Sequence, residues 1–501
     1  MQIFIVLIIF INDLLQSLIS GGRWDLNEQI AVGINLFNNL PTFSNGANDL
    51  FQVSSPYFPG IGIIAGALNF LIADIYYLNQ IMIFLASIIG LFLLLMISKI
   101  TDILYPQISK SHKYFVIILI YLFNLQYYSA YMMEFKPDSI LLIFILGIFF
   151  ILNSAKPKKS IYFILPILLF VASFLKQSAF IAYIFTVTHI FFTKTLSKSI
   201  KSVLIFLSIF TGFLSLIIMN NIENLFFYTV EVMGEHDFLP LIDFTKYFIK
   251  SFYKNIIVMI GLMLFLYKSF IYKNTFFEKI TNVRVSYYFL SLVWFLFSLL
   301  SMAKVGGNEG NFEAGVILLI PMVLNGYSYF FTDLVKNINT KHFSFFYVVV
   351  VTVSLLNIYE KSVLLKDKYI DDKNIIHYLK TNYKNSISFT DGNTFILARS
   401  ADLNIITSAE TINHFSQKRA FDFTSLKTAL KERKFELIFL SQDLSYLSDT
   451  EINQLIFENY ELIIFEDNLI KIPQNINLKS NLIDTRNFLL FKRKEYKKKT
   501  S

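Results

Sequence analysis

The chain contains no cysteine, which excludes disulfides, thiolate metal sites and cysteine nucleophiles. Charge is scarce as well: only 16% of its 501 residues are charged, whereas 55% are hydrophobic. Soluble proteins of this length rarely have such a composition, so it predicts a membrane protein. Tryptophan is almost missing. Aromatic residues make up 17% of the chain, and they consist of 55 phenylalanines, 28 tyrosines and 2 tryptophans. We expect most of this phenylalanine to face lipid or the protein core.

Long apolar runs are abundant, and a run of about 20 mostly apolar residues can cross a bilayer. The first run follows no basic residue and has no small-residue cleavage site, so we expect a retained span rather than a signal peptide. Together the runs predict a polytopic α-helical membrane protein of about 11–13 spans. The candidate runs lie at 2–20, 58–75, 79–98, 114–133, 138–153, 161–175, 177–193, 202–220, 254–272, 286–303, 312–331 and 343–359.

Loop charge predicts the orientation, because basic loops usually lie in the cytoplasm. The basic loops are 154–160, 193–201, 272–284 and 333–342. Alternation of the spans then assigns another set of segments to the opposite face: 134–138, 176–178, 221–252, 304–315 and the part after residue 360. The net charge of +8 thus reflects membrane orientation rather than nucleic-acid binding.

The first half of this topology leaves one alternative open. If the loop at about 21–58 lies outside and the basic loop 99–113 inside, only one net crossing fits between Phe58 and Ser98. Two apolar segments lie there, so one of them, such as "GIGIIAGALNF", would enter the membrane without crossing it.

Residues 361–501 have the pattern of a small α/β domain. The segments 371–382 and 393–402 resemble helices, and 386–391, 435–441 and 461–472 resemble strands. The basic tail "FKRKEYKKK" (491–499) is expected to be a solvated end, with binding to a membrane surface or a partner as the alternative.

The ionisable residues of the predicted outer face fall in loops or at span ends. They are Asp25, Glu28, Lys136, Asp138, Lys176, Glu309 and Glu313. A transporter more often has such groups at mid-membrane and an internal repeat, and no repeat is evident. A carboxylate can instead remove a proton from an acceptor hydroxyl, while lysines neutralise a phosphate leaving group.

Four motifs follow one another on this face. They are "NEQIAVGINLFNN" with "SSPYFPG", then "FKPDSILL", "FLKQSAF" and "GGNEGNFEAG". Their order resembles the GT-C superfamily of polytopic glycosyltransferases, in the branch of protein O-mannosyltransferases and the lipid A aminoarabinose transferase. The resemblance covers about residues 1–440. This chain departs from the family pattern at one point. The family has two adjacent acidic residues in the first motif, whereas this chain has Asn27 followed by Glu28.

The resemblance implies transfer of a sugar from a polyprenyl-phosphate donor to a hydroxyl of a glycolipid, glycan or protein, with inversion, outside the bacterial inner membrane. Glu28 is then the catalytic base by family position, and Asp25 is the alternative. The implied donor-binding residues are Lys176, Gln177, Lys136, Asp138, Asn308, Asn311 and Glu313, with Tyr57 lining the site. No nucleotide is needed, and a divalent metal is permitted but not required.

Each residue also has a plainer interpretation. Asp25 and Glu28 could cap a helix or lie in a solvated loop, and Asp138 could cap the span that begins at Pro137. Lys176 could be an interfacial lysine, the residues 308–313 could form a turn, and His236 could be an ordinary loop histidine.

Three other functions remain as alternatives. A polysaccharide polymerase or ligase would tend to rely on arginines in a large outer loop, and these loops are arginine-poor. A transporter of lipid-linked glycans would need mid-membrane charges. A non-catalytic scaffold would not need its carboxylates.

Overall fold

The computed structural model of the chain describes most of the sequence, in two compact units. The described residues are 2–21, 23–39, 42, 58–109, 113, 137–153, 162–192, 196–222, 225–226, 229, 238–271, 282–304, 309–337, 340–408, 423–440, 450–463 and 489–494. The first unit comprises 1–14, 85–218 and 236–359, and the second comprises 15–84, 219–235 and 360–501. Each unit is considered by itself below.

The described elements are mostly helical. The helices are α1 (Gln2–Ser20), α2 (Arg23–Phe37), α3 (Gly60–Asn69), α4 (Ile75–Leu104), α5 (Pro137–Leu152), α6 (Ile164–Ser173), α7 (Ala179–Phe192), α8 (Lys198–Asn220), α9 (Leu241–Lys254), α10 (Ile256–Ile271), α11 (Asn282–Met302), α12 (Glu309–Asn337), α13 (Thr340–Tyr383), α14 (Gly392–Ser400), α15 (Thr424–Lys431) and α16 (Thr450–Asn459). The strands are β1 (Ile387–Thr390), β2 (Asn404–Ser408), β3 (Leu437–Leu440), β4 (Tyr460–Leu462) and β5 (Leu489–Arg493).

Helix lengths and composition confirm a multi-pass integral membrane protein. Within the described residues, 4 helices are long and apolar enough to cross a membrane: α4, α8, α11 and α13. The number of candidate spans rises to 5 if the bent pair α9–α10 is counted as one span. Several predicted spans are shorter apolar helices, and the run 114–133 lies outside the described residues. The count of about 11–13 spans therefore stays a prediction.

Helix α3 bears on the alternative left open between Phe58 and Ser98. It has 10 residues and therefore covers roughly 15 Å, about half the hydrocarbon thickness of a bilayer. Its length is that expected of a segment that enters the membrane without crossing it.

In the first unit, α12 packs between α10 and α11. The approach to α10 depends on small residues, because a Cβ on Gly326 would overlap the carbonyl oxygen of Gly261. Two tyrosine hydroxyls satisfy backbone carbonyls across the contacts: Tyr287 donates to Leu318 O at 2.9 Å and Tyr327 donates to Ile257 O at 2.6 Å.

The second unit contains a five-stranded sheet in the order β2-β1-β3-β5-β4. Strand β1 is parallel to β2 and β3, whereas β5 is antiparallel to β3 and β4. The predicted α/β pattern after residue 360 is confirmed, including the strands within 386–391 and 435–441 and a helix over most of 393–402. Of the predicted strand 461–472, only the first residues are described, in β4. The domain boundary near residue 360 stays a prediction.

One expectation was wrong in detail. The tail is not a solvated end throughout, because Phe491, Lys492 and Arg493 belong to β5, where Phe491 is buried. The segment 221–252, expected to link two spans on the outer face, contains most of the amphipathic helix α9. The change of pattern at Lys361 falls within one helix, because α13 continues for 44 residues without a proline or glycine to end it.

Candidate active site

The predicted catalytic acid lies on a helix rather than in a loop. Residues 23–37 form α2, and Glu28 is only 3% exposed between the buried Asn27 and Gln29. Burying a carboxylate costs free energy unless it is hydrogen-bonded or paired, so Glu28 is not an ordinary solvated acid. Asp25 precedes Glu28 by three residues on α2, and this spacing places the two positions on one face of the helix.

Helix α2 is held against α3 by a glycine seam, formed by Gly33, Gly62 and Gly66. A Cβ on Gly33 would overlap the carbonyl oxygen of Gly62, and a Cβ on Gly66 would overlap the ring of Phe37. Only glycine allows the two backbones to approach this closely. The seam therefore sets the position of the helix that carries Glu28.

A hydrogen bond joins α2 to the α/β part of the same unit. The amide Nδ2 of Asn27 donates to the carbonyl oxygen of Gly392 at 2.7 Å, and both residues are buried. Gly392 begins α14, whose N-cap Asp391 accepts from the backbone N–H of Thr394 at 2.8 Å. The hydroxyl of Thr394 in turn donates to Phe439 O in β3 at 2.7 Å. Helix α2 is thus connected to the sheet through α14.

Asn27 and Gly392 were not predicted as functional residues. Asn27 stands where the family pattern has an acid, and an aspartate there would have no N–H to donate to Gly392. The departure from the family pattern was therefore a usable signal, whereas nothing in the local sequence pointed to Gly392.

The predicted donor-binding residues that are described lie in the first unit. Lys176 and Gln177 are half-buried in the turn between α6 and α7. Asp138 lies in the first turn of α5, which begins at Pro137, as the plainer capping interpretation also expects. Asn311 and Glu313 lie in the first turns of α12.

The predicted set is therefore divided between the two units, with Asp25 and Glu28 in the second. Lys136, Tyr57, Asn308 and His236 lie outside the described residues. Among the described residues, no three or more His, Asp or Glu side chains form a group that could hold a metal ion.

An open groove of about 690 Å³ lies elsewhere in the second unit, lined by polar residues that include Asp74, Lys380, Arg399 and Asp402. Lys380 pairs with Asp402 at 2.9 Å. Burial lowers the pKa of the Arg399 guanidinium, and the nearby Asp402 opposes this change. None of the predicted site residues lines this groove.

The fold of the chain is similar to that of a solved structure. The chain is similar to the crystal structure of ArnT from Cupriavidus metallidurans in the apo state, with a TM-score of 0.51 and 11% sequence identity. The similarity covers 93% of this chain and 93% of that chain. The chain has a GT-C-like fold. The resemblance predicted from the motifs is thus confirmed as a resemblance of fold.

Two further solved structures resemble this GT-C-like chain more weakly. One is the Archaeoglobus fulgidus oligosaccharyltransferase tethered to an acceptor peptide, with a TM-score of 0.47 and 10% identity over 91% of this chain and 72% of that chain. The other is AglB from Archaeoglobus fulgidus with an inhibitory peptide and a dolichol-phosphate, with a TM-score of 0.45 and 8% identity over 92% and 72%. No protein-family model matches the chain, and no curated protein matches it by sequence.

Proposed function

We propose that this protein is a membrane glycosyltransferase that moves a sugar from a polyprenyl-phosphate donor to a hydroxyl acceptor outside the cytoplasm, in a bacterial inner membrane. The observation that carries the proposal is the burial of Glu28 on α2, in a chain with a GT-C-like fold. The sequence resemblance assigns the general base to this acid. The acceptor is a hydroxyl of a glycolipid, a glycan or a protein.

The reaction needs one proton acceptor and one stabilised leaving group. The Glu28 carboxylate, or Asp25 in its place, takes the proton of the acceptor hydroxyl. The acceptor oxygen then forms a bond to the anomeric carbon while the bond from that carbon to the phosphate oxygen breaks. The lipid phosphate leaves with the electron pair, and attack opposite the leaving group inverts the anomeric carbon.

Lysines are suited to the departing phosphate, because a cation placed where negative charge develops lowers the barrier. Lys176, with Gln177 beside it, is the first candidate for this role and Lys136 the second. Asp138 would orient the donor or a lysine, while Asn308, Asn311 and Glu313 would line the donor site with Tyr57. A lipid tail in a groove between spans would explain why the enzyme is a membrane protein.

The test compares Glu28→Gln and Asp25→Asn with the wild type in membranes that receive a labelled polyprenyl-phosphate sugar. Loss of the general base should lower the transfer rate about 10²–10⁴-fold. Glu458→Gln is the matched control, because Glu458 is an exposed carboxylate that accepts a hydrogen bond from Gln454. Loss in only one acid variant identifies the base. Full activity in both variants at normal expression would show the mechanism to be wrong.

The products separate glycosyl transfer from the alternatives. A glycosyltransferase forms one new glycosidic bond per donor consumed and releases the polyprenyl phosphate. A polymerase or ligase transfers whole glycan chains, and a transporter moves the lipid-linked glycan without making a bond. The anomeric configuration of the product, measured by NMR, tests inversion.

A further inference from the structure

Helix α9 carries its charge on one face. Lys246, Lys250 and Lys254 follow one another at four-residue intervals, which places them on one side of an α-helix. Asp243 belongs to the same side and accepts from Lys246 Nζ at 3.0 Å. Lysines therefore outnumber acids three to one on this cationic face.

A second face of α9 is apolar and exposed. Leu241, Ile242, Ile249 and Tyr253 are between 61% and 78% exposed. On the remaining side, Ser251 is buried and donates to the sulfur of Met302 at 3.6 Å. This side of the helix packs against the protein. A cationic face beside an exposed apolar face is typical of helices that lie in a membrane interface.

The direction of α9 also fits a membrane interface. The axes of α9 and α10 differ by 83°. Asn255 stabilises the bend, since its Nδ2 donates to Ser251 O at 2.9 Å and its carbonyl accepts from Met259 N–H at 2.9 Å. Helix α10 coincides with the predicted span 254–272, and a helix nearly perpendicular to a membrane-crossing α10 would run along the membrane surface.

Contacts within the first unit hold α9 in this orientation. The rings of Phe248 and Phe312 meet edge to face at 6.3 Å, which joins α9 to the first turn of α12. Just before α9, Leu239 N–H donates to Ala303 O at 2.7 Å, and Phe238 forms an antiparallel bridge with Lys304. These contacts fix the rotation of α9 about its own axis, so its apolar face stays exposed.

We propose that α9 lies in the lipid interface and binds anionic phospholipid headgroups. Leu241, Ile249 and Tyr253 would enter the boundary between headgroups and acyl chains, to about 5–10 Å. The cationic face would contact lipid phosphates, whose charge it complements. This lipid contact does not depend on glycosyl transfer, so it can be correct even if the proposed function is wrong.

The first experiment measures membrane depth with single cysteines, which the cysteine-free chain makes simple. A fluorophore on Ile249→Cys in bilayer nanodiscs should be quenched more by lipids with a spin label near the headgroup than by lipids with a label deep in the acyl chain. Phe210→Cys, midway along the span α8, should show the opposite order. Glu458→Cys, in the α/β part, should not be quenched. Quenching at Ile249→Cys no stronger than at Glu458→Cys would overturn the interfacial position.

The second experiment tests the headgroup preference with the same Ile249→Cys label. Quenching lipids with an anionic headgroup and with a zwitterionic headgroup are compared at equal amounts. The anionic lipid should quench more strongly, and this preference should fall about tenfold when Lys246→Gln and Lys250→Gln are combined. The matched pair Lys431→Gln and Lys434→Gln, on exposed lysines of the α/β part, should keep the preference. Equal quenching by both lipids in the parent chain, or an unchanged preference in the first pair, would refute headgroup binding.

Discussion

Replacing Gly33 by alanine tests whether the glycine seam positions the candidate catalytic helix. The new Cβ would overlap Gly62 O and would lie 2.8 Å from both Gly62 C and Gly66 N. Carbon atoms normally meet at about 3.5–4.0 Å, so α2 and α3 would have to separate by on the order of 1 Å. All three atoms are backbone atoms, and no side-chain rotation can relieve the overlap.

Two effects of this substitution can be estimated. Overpacking of this kind usually costs about 1–3 kcal/mol, against a gain of about 1 kcal/mol from replacing glycine by alanine inside a helix. A displacement of about 1 Å at a catalytic group can lower a rate about 10²-fold. We therefore expect Gly33→Ala to lose more activity than its modest loss of stability explains.

Gly147→Ala is the matched control, because a Cβ there meets nothing within 4 Å and gains only helix propensity. Both variants and the wild type are compared in the same detergent, by thermal unfolding and by transfer from a labelled polyprenyl-phosphate sugar. The free energies of unfolding of the two variants should differ by about 1–3 kcal/mol, with Gly33→Ala the less stable. Equal stability and equal activity of the two would refute the role given to the seam.

Three further changes test the contacts around α2 and in the sheet region. Asn27→Asp removes the buried donor to Gly392 O and puts a carboxylate oxygen in its place, so it should cost about 1–3 kcal/mol in thermal unfolding, whereas Asn382→Asp, at an exposed amide bonded to a carbonyl at 2.8 Å, should cost far less. Asp391→Ala removes an N-cap and should cost about 0.5–2 kcal/mol, and an unchanged unfolding midpoint would contradict this. The hydrogen bond from Lys427 lowers the pKa of Glu451, so its stabilisation is present above the ordinary glutamate pKa and is lost as the pH falls through the lowered value. Glu451→Gln should therefore flatten the acid side of the stability profile, and an identical profile would show that the pair contributes nothing.

Hydropathy predicted much of this fold because membrane helices depend on the composition of single segments. Helix α9 was missed for the same reason: its lysines lower the average hydropathy, although their four-residue spacing was visible. Strand β5 was missed because the basic residues of the tail conceal the apolar "LLF" at its start. In both segments, the order of a few residues indicated the secondary structure, whereas the average composition did not.

The candidate site was predictable in part. The sequence predicted Glu28 through a motif and Asp25 as the alternative acid, and it identified Asn27 as a departure. It could not predict that Glu28 is buried or that Asn27 donates to Gly392, because both depend on segments far away in the chain. The role of Lys176 stays a prediction for the same reason.

The bond from Asn27 to Gly392 joins residues that are 365 positions apart. Chains are made at about 5–20 residues per second, so the donor exists for roughly 20–70 s before its acceptor is synthesised. Helix α2 can form during that time, but its connection to α14 must form late. In a nascent chain, helix α2 would therefore lack its hydrogen bond to Gly392. The native position of α2 would be reached only after the sheet region has been synthesised.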